Sequence, residues 1–236
     1  MNEKKEYITK VLDKGFVRLV DMMGSDGRVV AAARVSTGTK TGVDTERDKK
    51  LLAFLMKNKH ETPFEKIIFE FHVKLPIFVM RQWIRHRMAS YNEASGRYRK
   101  FIDEFYVPSL ENLPPLYTNE DLAEYVELIE KEYEFYLKMM KKAEDHASEN
   151  PEDRLIKKRA REVWRGVLGT CFYTEFYWTV NFRSLMNFLN LRMNSDAQFE
   201  IQQYADTIFI MIQGLIPETM KVFKKFQFRA DRAPDD

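Results

Sequence analysis

The segment EKIIFEFHVKL, residues 65–75, carries the clearest secondary-structure pattern of the chain. Apolar side chains recur there at every second position, namely Ile67, Phe69, Phe71, Val73 and Leu75. A period of two predicts a strand, and the alternate positions, which include His72 and Lys74, form its half-exposed face. Pro76 suits the first turn of a following helix, which we expect to continue through Trp83 and Ile84.

The predicted helix leads into RHRMASYNEASGR, residues 85–97. This stretch has no Leu or β-branched side chain, and we expect it to lie outside the core. Arginine offers a planar fork of donors that matches phosphate or carboxylate oxygens two at a time, and serine and asparagine add short donors. The stretch therefore predicts a site for an anionic ligand, phosphorylated first of all.

Three interpretations of this stretch remain open from the residues alone. It can be a solvated loop held by surface ion pairs, which contribute little to stability. It can bind single-stranded nucleic acid, since its basic side chains are interleaved with Tyr91 and Tyr98. A small-molecule phosphate site is favoured by Glu93, because a carboxylate repels a phosphodiester backbone but can hold a sugar hydroxyl or orient an arginine.

Composition limits the class of protein. The 236 residues, with 44% apolar and 14% aromatic side chains, suffice for one large domain or two small ones. The net charge of +2 means that anion binding must come from local clustering, which weakens the nucleic-acid interpretation. The single cysteine, Cys171, excludes an internal disulfide and a cysteine metal site. With a polar opening segment and charge-interrupted apolar runs, we expect a cytoplasmic protein without a membrane span.

Caps and periodicity predict the remaining elements. Strands are expected at residues 15–23 and within residues 170–182. Helices are expected after Ser25, after Asp44 or Thr45, after Thr118, from Asn150 through Trp164, and after Ser184, Ser195 and Pro217. Residues 36–42 read as a Gly/Thr-rich mobile loop and residues 229–236 as a polar tail. The irregular order of strands and helices favours a single α+β domain, residues 1–236, with a mixed or antiparallel sheet packed with long helices.

The motifs also resemble a known family. The spelling R-H-R-x-x-S-x-N-E-x-S-x-R, filled without exception at residues 85–97, is similar to the signature of the flavin-dependent thymidylate synthases. HETPFE at residues 60–65, FVMRQWIRHR at 78–87 and NFRSLMNFLNLR at 181–192 resemble the same family. The resemblance covers residues 12 to about 205. It implies a homotetramer that converts dUMP to dTMP at active sites shared between subunits.

The resemblance also implies a nucleotide site. The positions that match the family's dUMP ligands are Gln82, Arg85, Glu93, Ala94, Ser95, Gly96, Arg97, Arg165 and Arg192. Arg97 and Ser95 would lie near the phosphate or base, and Glu93 near the sugar. Arg192, the main catalytic candidate beside Ser95, would stabilise a deprotonated uracil N3. A guanidinium next to uracil favours the anionic base and so raises the electron density at C5.

FAD is the cofactor that the resemblance implies, with NADPH and methylenetetrahydrofolate as co-substrates. The matching flavin positions are Ser36, His60, Thr62, Glu65, Arg85, His86, Arg87, Met88, Glu93, Asn181, Arg183 and Asn187. His86 would lie against the isoalloxazine ring. Each of these residues alone has an ordinary structural alternative, such as a helix cap or a surface position. No G-x-G-x-x-G motif is present, so a dinucleotide would be held outside a Rossmann fingerprint.

Several residues argue against other chemistries or against turnover. Cys171 has no His or Arg beside it in sequence to lower its pKa, and we expect a structural thiol and not a nucleophile. His72 and His146 are expected on solvated faces, and no spacing suggests a metal site. Two positions depart from the family pattern, Gly169 in place of proline and Asp196 in place of histidine. A homologue that binds flavin and nucleotide without turnover therefore stays open as an alternative.

Overall fold

The computed structural model describes residues 7–36, 38, 46–153 and 155–232. They form one α+β domain around a five-stranded antiparallel sheet of order β1-β2-β3-β5-β4, which confirms the predicted fold class. The strands are β1 Tyr7–Val11, β2 Gly15–Met23, β3 Ile68–Pro76, β4 Ser90–Glu93 and β5 Tyr173–Asn181. The α-helices in this part of the chain are α1 Asp26–Val35, α2 Glu46–Lys57, α3 Ile77–Trp83, α4 Asn119–Glu149, α5 Ile156–Trp164, α6 Phe182–Arg192, α7 Phe199–Gln213 and α8 Pro217–Phe226.

The centre of the sheet is the predicted strand. The five alternating apolar side chains of residues 67–75 are fully buried, as expected from their period. They face Phe176 and Trp178 of the neighbouring β5. Trp83 of α3 closes this core, with its ring 5.1 Å from Trp178 and 4.6 Å from Phe188 of α6. The core thus fixes α3 and α6, the two helices whose ends carry the candidate site residues.

The other face of the sheet carries polar and aromatic side chains. Arg18, His72 and Tyr177 lie side by side across β2, β3 and β5. Arg18 Nη2 lies 3.1 Å from His72 Nδ1, and His72 Nε2 lies 3.2 Å from a Glu175 carboxylate oxygen. The His72 ring also stacks on Tyr177 at 4.7 Å. The expectation that His72 is solvated was wrong, because these neighbours leave its side chain only 15% exposed.

The long helix α4 begins as predicted and α5 does not. Thr118 and Asp121 form a capping box at the start of α4, and a stripe that includes Tyr136 is buried. The predicted helix start at Asn150 was wrong, because Asn150 ends α4 by donating its backbone N–H to the His146 carbonyl. A turn follows, and α5 begins only at Ile156.

Two predicted caps also need correction. Asn181, not Ser184, caps α6, since its side chain accepts the Ser184 backbone N–H at 2.9 Å. Ser195 does not cap α7, because its backbone N–H and hydroxyl are both bonded to Asp231. Arg232 pairs with Asp206 of α7 at 2.6 Å, and the Arg229 backbone N–H donates to Asn190 of α6 at 2.7 Å. With the Asp231–Ser195 contact, these bonds attach residues 229–232 of the predicted polar tail to α6, α7 and the turn between them. The predicted cap at residues 44–45 lies outside the described residues, as does most of the predicted loop at 36–42.

Candidate active site

The Arg-rich stretch is attached to the core by one tyrosine. The Tyr91 hydroxyl donates to the His86 carbonyl at 2.7 Å and lies 3.3 Å from that of Trp83. Its ring faces Phe176 and Trp178, and burial raises the pKa of Tyr91 to about 12. The expectation that the whole stretch lies outside the core was therefore wrong at this position. Tyr91 holds β4 against the end of α3 and fixes the turn between them.

Arg192, in the last helical turn of α6, contacts the segment that connects α3 to β4. Its Nε donates to His86 Nε2 at 2.9 Å, and its Nη2 donates to the Gln82 carbonyl at 3.2 Å. A guanidinium N–H can only donate, so His86 Nε2 is the unprotonated ring nitrogen. Burial, and then the charge of Arg192, lower the pKa of His86 from 6.5 to about 4. Three predicted site residues are thereby joined, with a charged Arg192 beside a neutral imidazole.

The segment after β4 forms a second group of predicted nucleotide residues. The Glu93 carboxylate accepts from the Thr174 hydroxyl at 2.9 Å, and the Ser95 hydroxyl accepts from the Arg97 backbone N–H at 3.3 Å. Gly96 is buried here, and a Cβ on it would lie 2.5 Å from a Phe101 ring atom and 3.4 Å from Arg165 Cδ. Only glycine lets the loop approach Phe101 and Arg165 this closely.

Helix α5 supports this loop from outside. Arg97 pairs with Glu162 at 2.9 Å, and Arg161 Nε donates to the Arg97 carbonyl at 3.1 Å. The hydrogen bond from Arg97 lowers the pKa of Glu162. Arg161 and Arg165 reach the same loop, although Arg165 lies just past the helix end. Glu162 was missed by the sequence reasoning, because nothing in its spacing marks it as a partner of Arg97.

A pocket lies between this loop and β5. Its lining residues are Lys74, Ala94, Gly96, Arg99, Lys100, Phe101, Ile102, Glu104, Tyr173, Thr174 and Glu175. Lys74, predicted on the half-exposed face of β3, is only 9% exposed and pairs with Glu104 at 2.6 Å. Period-two patterning could not reveal this burial, because the covering residues come from the segment near Glu104, distant in sequence. The lining mixes the basic residues Lys74, Arg99 and Lys100 with the carboxylates of Glu104 and Glu175.

A separate open pocket of about 470 Å³ brings together four predicted flavin residues, Ser36, His60, Thr62 and Arg183. The apolar side chains that line it are Leu51, Phe54, Leu55, Ala33 and Pro63. Arg183 donates to Glu61 at 3.0 Å and to Glu65 at 2.7 Å, and both carboxylates raise its pKa. An apolar floor with a rim of donors fits a planar aromatic cofactor with polar edges. The predicted residue Glu65 thus orients Arg183 at this pocket.

The remaining predicted flavin residues lie elsewhere. Asn181 uses its side-chain oxygen to cap α6, and Asn187 is exposed on that helix. Arg85, Arg87 and Met88 are exposed on the turn before β4. Within the described residues, no hydrogen bond or ion pair joins this turn to the flavin pocket, or Arg192 to the loop of Ser95 and Arg97. One copy of the chain therefore holds the predicted site in separate groups.

The sequence and fold both match known proteins. Residues 18–218 match the family model described as thymidylate synthase complementing protein. The chain is 48% identical to the flavin-dependent thymidylate synthase of Thermosipho melanesiensis and 46% identical to that of Thermotoga neapolitana, over 94% of this chain and 96% of each relative. The chain belongs to the flavin-dependent thymidylate synthase family.

The UMP/dUMP methylase PolB from Streptomyces cacaoi, crystallised with 5-Br dUMP, has a similar structure. The TM-score is 0.75 at 30% identity, over 94% of this chain and all of PolB. With its family and this methylase as relatives, the chain is an enzyme of the methyltransferase class. None of the helices in the described ranges is long and apolar enough to span a membrane. The same residues contain no cluster of His, Cys, Asp or Glu placed to hold a metal ion.

Proposed function

We propose that this enzyme methylates dUMP at C5 to give dTMP, with methylenetetrahydrofolate as the one-carbon donor and NADPH-reduced FAD as the hydride source. The main support for this proposal is the position of Arg192. Its guanidinium donates hydrogen bonds to His86 and to the Gln82 carbonyl. These contacts use Nε and Nη2 and leave Nη1 to face a ligand. A fixed cation of this kind suits a ligand that becomes anionic, as uracil does on losing its N3 proton.

His86 and Arg192 have complementary roles in this proposal. Because the pKa of His86 is lowered to about 4, its ring is neutral near pH 7 and adds no second positive charge. Arg192 then supplies a positive charge directed at the base, while His86 fixes its orientation. The uracil N3 anion gains electron density at C5, the carbon that receives the one-carbon unit.

The loop after β4 would hold the rest of the nucleotide. Arg97, Arg165 and the Ser95 hydroxyl offer donors for the phosphate, and Gly96 lets the loop backbone come close. Glu93, steadied by Thr174, can accept a sugar hydroxyl. Cys171 takes no part, because burial raises the pKa of its thiol and keeps it protonated.

FAD would be held by Ser36, His60, Thr62 and Arg183 at the pocket described above, with Asn187, Glu93, His86 and its flanking residues as further contacts. When bound, the flavin supplies the hydride that reduces the transferred one-carbon unit to a methyl group. The protein contributes binding, orientation and charge. Arg183, kept in place by Glu61 and Glu65, has its second terminal nitrogen available for a cofactor phosphate.

We further propose a homotetramer in which subunits complete each other's sites. The support is the separation of the predicted residues into groups within one copy, together with the aromatic sheet face of His72 and Tyr177. That face also carries Ile8, which is 53% exposed. Mixing Ser95→Ala with Arg192→Ala protein should restore activity if the two residues serve one site from different subunits. No recovery after mixing and refolding would argue for sites within one subunit.

The reaction is tested with purified, FAD-loaded protein. NADPH oxidation is followed with and without dUMP, and thymidylate is sought by chromatography after methylenetetrahydrofolate is added. We expect thymidylate from the wild type and none from Arg192→Ala. A yellow protein that forms no thymidylate would refute the proposed synthase activity, and Gly169→Pro and Asp196→His would then test whether the two departures caused the loss.

A further inference from the structure

A line of side-chain hydrogen bonds runs away from the proposed nucleotide site. Gln82 Nε2 donates to Gln198 Oε1, and Gln198 Nε2 donates to a Glu200 carboxylate oxygen at 2.7 Å. Glu200 also lies near the hydroxyl of Tyr106, a residue that is 5% exposed, and burial and then the charge of Glu200 raise the pKa of that tyrosine. Gln198 follows the SDA segment after Arg192, so the line connects the first turn of α7 to α3. The sequence reasoning gave no role to Gln198, Glu200 or Tyr106.

Chemistry fixes the direction of this line. An ionised carboxylate only accepts hydrogen bonds, so Glu200 must receive an N–H from Gln198. The Gln198 amide therefore turns its nitrogen to Glu200 and its oxygen to Gln82. Gln82 must then present its NH₂ group to Gln198. The terminal carboxylate therefore determines the orientation of both amides.

This direction leaves two hydrogen-bonding groups of the Gln82 side chain available to a ligand. Its amide oxygen accepts no hydrogen bond from any residue in the described part of the chain. With one N–H bound to Gln198, the oxygen and the other N–H remain for a ligand. The backbone carbonyl of Gln82 also accepts a hydrogen bond from Arg192. Gln82 therefore contacts the proposed catalytic cation and is the last residue of the line.

We infer that Glu200 is a positioning residue that acts through Gln198 to hold the Gln82 amide in one orientation for binding dUMP. The inference rests on the proposed function, because Gln82 is taken as a nucleotide ligand. The buried Tyr106 lies beside Glu200. An amide at position 200 would remove the constraint, since it can donate as well as accept and lets both glutamines turn over.

The test is a double-mutant cycle on dUMP affinity. Glu200→Gln should raise the Kd and KM for dUMP by about tenfold, the worth of one hydrogen bond lost when the amide turns over, and leave kcat within about threefold. In a Gln82→Leu background, Glu200→Gln should change the Kd for dUMP by less than about twofold, because the amide that Glu200 positions is absent. Gln198→Met, which interrupts the line without altering Glu200, should weaken dUMP binding in the same way. Glu130→Gln, an exposed position on α4, is the matched control and should change neither constant.

Two results would overturn the inference. One is an unchanged Kd in Glu200→Gln. The other is an equal loss in the wild-type and Gln82→Leu backgrounds, which would assign Glu200 a purely structural role at the start of α7. Calorimetric titration with dUMP separates this inference from the proposed reaction. Wild-type protein that binds dUMP and forms no thymidylate would refute the reaction alone, while a wild type that does not bind dUMP would refute both.

Discussion

Removal of the Arg192 charge should raise the pKa of His86, but only in part. In the structure that pKa falls from 6.5 to about 4, first through burial and then through Arg192. Because burial is the larger cause and remains in an Arg192→Met variant of similar length, less than half of the decrease should be recovered. The expected increase is therefore about one pKa unit, equivalent to about 1.4 kcal/mol before solvent screening reduces it.

NMR titration of the histidine Cε1–H signals measures this change, and the chain has only four histidines to assign. Arg183→Met, an exposed arginine on the same helix, is the matched control and should leave the pKa of His86 unchanged. A rise to the ordinary value of 6.5 in Arg192→Met would refute burial as the main cause. No rise at all would refute the contact between the two side chains.

The same lowered pKa makes stability depend on pH. Between pH 6.5 and about 4 the unfolded chain binds a proton at this histidine that the folded chain does not. The stability associated with His86 is therefore fully present above pH 6.5 and is lost as the pH falls towards 4. Denaturant titrations over this range should show a smaller pH-dependent loss in Arg192→Met than in the wild type.

Three further predictions concern other sites. Asp48→Asn should destabilise the fold by about 3–5 kcal/mol in urea titrations, because it removes the buried carboxylate that pairs with the Arg34 charge, and a loss below 1 kcal/mol would contradict this. Gly96→Ala should weaken dUMP binding by about tenfold through the clash with Phe101, whereas Gly166→Ala, with open space around it, should not. Cys171→Ala should keep thymidylate formation within about threefold of wild type, and loss of turnover would restore the cysteine as a nucleophile.

Sequence patterns were most informative where the structure is governed by local rules. The period of two in residues 65–75 identified the central strand, and the Thr118 capping box began α4 where expected. Strand β1 was missed because it is an edge strand with polar positions and pairs only with β2. Strand β4 was missed because its residues were interpreted by their charges, although Tyr91 packs into the core. Such positions depend on neighbours that are distant in sequence.

The candidate site shows the same limit. The motif spelling indicated Arg192, His86 and Gln82, and the structure brings these three together. It did not indicate that His86 would be held neutral, since this follows from burial between α3 and α6. Nor did it indicate Gln198 and Glu200, which are joined to Gln82 only when α7 packs beside α3. A sequence motif identifies the residue types at a site, whereas tertiary packing determines their protonation and orientation.

The order of strands has a consequence for synthesis of the protein on the ribosome. β3 pairs with β5 along its whole length, from Ile68 opposite Asn181 to Pro76 opposite Tyr173. Roughly 100 residues separate the two strands. At a synthesis rate of about 5–20 residues per second, β5 is translated several seconds after β3. Helices α4 and α5, translated in that interval, make contacts with each other that close locally and early. We expect the nascent chain to expose a helical hairpin and an incomplete apolar sheet, an aggregation-prone intermediate of the kind that chaperones bind, until the last strand is translated.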